Sequence, residues 1–125
     1  MEMDKDAAVA RIKAELLAAD WRLNRRRVAA LAAALAVVET DAGERRAFRY
    51  LVEMARAALA YQEKHGDSAP PMVLDFLKAT LAKVIGVIEE EDLSLERQTE
   101  IFNKAHLAFI ALKGQLARVR VGEAG

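Results

Sequence analysis

The sequence predicts an all-α fold, an antiparallel up-down helical bundle of four helices plus an N-terminal fifth helix. Apolar side chains recur at alternating spacings of three and four, the mark of a stripe along one helix face. Alanine, the best helix former, is the most frequent residue, and only two prolines interrupt 125 positions. That length fits one domain, residues 1–125, whose core needs no covalent staple. There is no cysteine, which removes disulfides, thiolate metal sites and cysteine nucleophiles.

The first helix, over residues 4–19, carries Val9, Ile12, Leu16 and Ala19 on its stripe, with Asp4 and Asp6 where negative charge suits the N-terminal dipole. A second, over 25–39, carries Val28, Leu31, Leu35 and Val38 and takes Asn24 as its N-cap. Between them Asp20-Trp21-Arg22-Leu23 reads as a connection, with Trp21 folded onto the end of the core as a lid. No glycine or proline enforces that break, so one helix over 4–39 is the alternative.

Thr40-Asp41-Ala42-Gly43 reads as a turn, because Gly43 readily takes a left-handed conformation. The third helix, over 44–64, places Phe48, Leu51, Val52, Ala55, Leu59 and Gln62 on one face. Gly66 stops it, with Lys64 and His65 in the last turn, and Pro71 suits the first position of a fourth helix over 71–91. That helix has the seam Leu74, Leu77, Leu81, Val84 and Ile88. Ser94 caps a fifth, over 95–119, with the seam Phe102, Ala105, Phe109, Leu112, Leu116 and Val119, and residues 122–125 are expected to fray. Short connections make successive helices antiparallel neighbours. The four-helix set is therefore expected from Arg25 onward, with the first helix packed as a fifth or exchanged with a partner.

Charge and hydropathy exclude several functions. With 19 basic and 19 acidic side chains the formal net charge is zero, which disfavours a general nucleic-acid binder. The longest apolar run, Val28 to Val38, is about half of the roughly 20 residues a membrane span requires. The charged start, Met1 to Asp6, lacks the basic-then-apolar layout of a secretory signal. A soluble, cytoplasmic protein is the expectation.

No constellation supplies chemistry. His106 with Leu112-Lys113-Gly114 resembles the histidine phosphotransfer domain, a helical bundle in which one residue separates an exposed histidine from Leu-Lys-Gly. Aligning that motif puts Ile110 at the phosphorylated position, and isoleucine has no nucleophilic nitrogen. Phosphotransfer through the motif is excluded, and His106, one turn away, reads as a boundary residue between seam and solvent. Di-metal bundles use Glu-x-x-His pairs, but three residues after Glu100 stands Asn103, and Glu63 is two residues from His65, off its helical face. Haem would need His65 or His106 with Met54 or Met72, residues that read as boundary and core filler. No Gly-x-Gly-x-x-Gly, phosphate loop or Gly-x-Ser-x-Gly is present. No cofactor, no metal and no catalytic residue are assigned.

Arg22, Arg25, Arg26 and Arg27 are the candidate interaction residues. Three of them open a helix, where positive charge opposes the dipole at roughly 0.3–1 kcal/mol each. An up-down topology gathers them at one pole with Lys64, Lys113, Arg118 and Arg120, and collects Glu39, Asp41, Glu44, the run Glu89 to Asp92, Glu96 and Glu100 at the other. The functional expectation is a noncatalytic protein–protein interaction module, regulatory or signalling-associated. Its partner would be another protein or a second copy in a homodimer, with the alanine-rich second helix (Ala29, Ala30, Ala32, Ala33, Ala34, Ala36) suited to a subunit interface. Anion or nucleic-acid binding through the basic pole is the first alternative, and a cofactor-carrying or enzymatic bundle the second.

Overall fold

A computed structural model describes residues 4–17, 25–42, 45–90 and 93–124, and those residues form five α-helices with no strand among them. They are α1 (Lys5–Leu17), α2 (Arg25–Ala42), α3 (Arg46–His65), α4 (Pro71–Glu89) and α5 (Leu95–Ala124). The all-α bundle predicted from apolar spacing is the observed class.

Local chemistry sets several helix ends. Asp4 caps α1, its carboxylate accepting the Ala7 N–H at 2.7 Å, and the Ser94 hydroxyl caps α5 by accepting the Arg97 N–H at 3.1 Å. Pro71 occupies the first turn of α4, where its missing N–H costs nothing. Gly66 ends α3 at φ 53° and ψ −129°, a region all but closed to residues with a Cβ, and its N–H bonds the Gln62 carbonyl. A Cβ there would meet no atom within 4 Å, so only backbone strain opposes substitution. Gly66→Ala is therefore expected to cost about 1–3 kcal/mol, measured as a lower Tm; an unchanged Tm would mean that the loop relaxes around it.

Several boundaries differ from the sequence expectation. Thr40, Asp41 and Ala42 form the last turn of α2 instead of a loop, because Ala42 is buried and the Thr40 hydroxyl bonds back to the Ala36 carbonyl at 3.0 Å. Gly43 lies outside the described residues. The helix α3 opens at Arg46, two residues late, α4 closes at Glu89, two residues early, and α5 continues through Ala124, past Gly122.

The first two helices are separate and antiparallel. Arg27 Nε donates to Glu15 Oε2 at 2.7 Å, and Lys5 pairs with Asp41 at 3.1 Å. In one continuous helix residues 15 and 27 would stand about 18 Å apart along the axis. Trp21 and the rest of the connection lie outside the described residues.

Neighbour relations decide which helix is the added one. Among the described residues α1 packs on α2 and α4, α2 on α3, and α3 on α4, which closes α1 to α4 into a ring. Among the described helices α5 touches α3 and α4 alone and lies outside that ring. The sequence expectation begins the four-helix set at Arg25 with the N-terminal helix added; the observed contacts make α1 a wall of the ring and α5 the addition. Burial follows from this. The helix α4, with three neighbours, buries a face wider than its predicted seam: Val73, Phe76, Leu77, Thr80, Leu81, Val84, Ile85 and Val87. In contrast, the described side chains of α5 that are buried are Ala105 and Leu112, while Phe102, Phe109 and Leu116 stay half-buried.

Candidate functional site

The arginine cluster divides on folding. Arg22 lies outside the described residues and Arg25 opens α2. Arg26 is exposed, whereas Arg27 turns inward onto α1. There its Nε and Nη2 lie 2.7 and 2.6 Å from Glu15 Oε2, with only 9% of the Glu15 side chain and 22% of the Arg27 side chain accessible. Arg27 thus neutralises a carboxylate that would otherwise sit buried and unpaired.

That pairing also bears on the expected charge separation. Lys13 pairs with Glu89 at the acidic end of α4, and two residues on, Glu15 holds Arg27 at the basic start of α2. Residues 13 and 15 lie about 3 Å apart along the α1 axis, so the acidic end of α4 and the basic start of α2 are paired to the same stretch of α1, and the expected placement of these two groups at opposite poles does not hold for them. Glu39 is likewise paired with Arg56 across α2 and α3. The alanine-rich surface of α2 is largely taken up internally, with Ala34 fully buried, Ala30, Ala32 and Ala36 at most partly exposed, and Ala29 and Ala33 facing out.

An apolar concave surface lies elsewhere, between α3 and α5. These helices run parallel, as two antiparallel steps through α4 require. Tyr50, Met54 and Ala57 from α3 and Phe102, His106 and Phe109 from α5 enclose an open groove of about 370 Å³, with Glu53 at its edge. The Tyr50 and Phe102 rings lie 5.9 Å apart, and His106 stacks on Phe102 at 5.4 Å. Phe109 contacts Phe76 of α4 at 5.5 Å and carries the Lys113 ammonium 5.5 Å above its ring. Met54, almost fully buried, forms the floor.

The groove exists because α5 is outermost. Its seam aromatics have α3 and α4 on one side and no third helix on the other, so rings that would be core in a closed bundle stay half-covered. Apolar spacing assigns Phe102 and Phe109 to the core and gives no signal for Tyr50, which falls off the α3 stripe. Only the parallel register of α3 and α5, a nonlocal fact, brings the three together.

Two other depressions among the described residues carry more cations than carboxylates. One, between α2 and α3, holds Arg49 and Arg56 with Glu39; the other, between α4 and α5, holds Lys83, Arg97 and Lys104 with Glu90. His106 is exposed and His65 stacks on Tyr61 at 4.2 Å. Among the described residues no group of three or more His, Asp or Glu side chains is placed to hold a metal ion, and no helix is long and apolar enough to cross a membrane. Comparison with models of known families, with curated proteins and with solved structures finds no match.

Proposed function

We propose that this protein is a noncatalytic protein–protein interaction module whose docking surface is the groove between α3 and α5. The observation that carries this reading is the row of half-covered rings, Tyr50, Phe102 and Phe109, beside Met54. Half-exposed aromatic side chains over a buried methionine floor are the kind of surface protein interfaces favour, and a groove of this kind suits the apolar face of an amphipathic helix. Glu53, His106 and Lys113 at its edges supply polar groups that would orient such a segment. The basic-pole alternative loses Arg27 to Glu15, and the enzymatic alternative has no residue arrangement to name. A cysteine-free chain suits a reducing compartment, so cytoplasmic residence and a regulatory or signalling role belong to the same proposal.

The test compares what co-purifies from the native host with three forms of the full chain. Tyr50→Glu with His106→Glu places charge in the groove at two exposed positions and is expected to lose the partner while keeping wild-type helicity. Arg26→Glu is expected to keep it, as the wild type does. Retention of the same partner by the groove variant, or its loss with Arg26→Glu, would sink the assignment.

A further inference from the structure

The outer face of α5 combines exposed apolar residues with an ordered charge pattern. Ala105 and Leu112 are buried toward α3 and α4, so a helical period of 100° per residue turns Leu107, Ile110 and Gly114 to the opposite side. Leu107 is 68% exposed and Ile110 53%, which makes them two of the largest apolar side chains left in water. No helix among the described residues covers that face. Glu96 and Glu100 stand N-terminal to this apolar centre, Lys113 and Arg118 C-terminal to it, and all four are exposed.

We propose that two copies of this chain pair through the outer faces of their α5 helices, antiparallel about a two-fold axis. An axis passing midway between residues 108 and 109 sets Leu107 of one copy against Ile110 of the other. The same operation brings Glu100 level with residue 117, beside Arg118 of the second copy, and does so twice by symmetry. Gly114, around which a Cβ would find open space, comes level with Asn103 and lets the two axes approach. A parallel pairing would set Glu100 on Glu100 and Arg118 on Arg118, so the charges select the antiparallel arrangement. The exposed Arg97–Glu100 pair within α5, at 3.0 Å, is no obstacle, because surface pairs of this kind are worth little. A foreign helix would also find apolar contacts here, but the face is complementary to itself under a two-fold axis, in its apolar centre and in the Glu100–Arg118 contacts that flank it. This surface adjoins the α3–α5 groove without sharing its rings, so the pairing does not rest on the docking function.

Analytical ultracentrifugation of the full chain tests it, with circular dichroism confirming that each variant stays folded. The wild type is expected to sediment as a dimer that weakens with salt, and Ile110→Glu, altering an exposed position, as a monomer. Glu100→Arg and Arg118→Glu should each raise the dissociation constant about tenfold or more, because each sets like charges opposite one another at two symmetric places. Mixing those two variants should restore a dimer containing one chain of each, since one of its two charge contacts regains opposite signs with both residues exchanged and the other keeps the wild-type pair. Tyr50→Glu alone, which alters the groove and not this face, should remain dimeric. A wild type that stays monomeric into the millimolar range would overturn the proposal. So would a dimer indifferent to Ile110→Glu, or two charge variants that fail to pair when mixed.

Discussion

Arg27→Ala is expected to lower the stability of the protein by about 3 kcal/mol, far more than truncating an arginine at an exposed helix start. The reason is the partner left behind. Glu15 lies on the buried face of α1 with Ala8 and Ile12, and both the Nε and the Nη2 nitrogens of Arg27 serve its Oε2 atom. Removing one member of a buried pair leaves an uncompensated charge, at roughly 3–5 kcal/mol; the residual 22% exposure of the Arg27 side chain sets the lower end of that range. Replacing both residues, Glu15→Leu with Arg27→Leu, should recover most of the loss, because apolar side chains of similar size often match a buried ion pair. Urea denaturation of Arg27→Ala and of the double variant separates the contributions. A loss below about 1 kcal/mol for Arg27→Ala would mean that the pair behaves as an exposed one. By contrast Lys5 and Asp41, each nearly half exposed, should contribute little and in a salt-dependent way.

How far the sequence reaches depends on how many neighbours a helix acquires. The α3 stripe holds, with Phe48, Leu51, Val52, Ala55, Leu59 and Gln62 all buried, but α3 too has three neighbours, and Met54 and Ala58 are buried beside the stripe. The α4 seam was legible at its centre, Leu77, Leu81 and Val84, yet it misses Val73, Phe76, Thr80, Ile85 and Val87, because a helix with three neighbours buries a wider arc than a stripe of threes and fours describes. On α5 the error has the opposite sign, and the rings assigned to the core form the wall of a groove. Neighbour number is set by the packing of segments distant in the chain, so periodicity within one helix does not encode it. The Glu15–Arg27 pair had a local signal on both sides. Glu15 follows Ala8 and Ile12 at helical spacing, inside the apolar stripe, and Arg27 stands where a helix start disfavours positive charge. A carboxylate within a stripe and a cation against a dipole are each unfavourable alone, and together they account for one another.

Ile12→Ala is expected to destabilise the whole bundle by roughly 2–5 kcal/mol, the cost of removing a fully buried branched side chain and leaving a cavity. The prediction turns on α1 being a wall of the ring. It is the shortest of the five described helices, with Ala8, Ile12 and Glu15 as its buried residues, so Ile12 is its only large apolar side chain wholly removed from water. If α1 closes the ring with α2 and α4, as its packing and the Lys13–Glu89 and Glu15–Arg27 pairs indicate, the loss should register in the global unfolding transition. Hydrogen exchange should then quicken in the amides of α2 and α4 as well as in α1. A peripheral helix would behave differently: α1 alone would exchange faster, and the main transition would keep its midpoint. Leu95→Ala is the matched control, since Leu95 is 78% exposed at the start of α5 and its truncation should change stability by no more than about 0.5 kcal/mol. Denaturant unfolding with hydrogen exchange on both variants decides between the two arrangements, and an unchanged midpoint for Ile12→Ala would return α1 to the periphery.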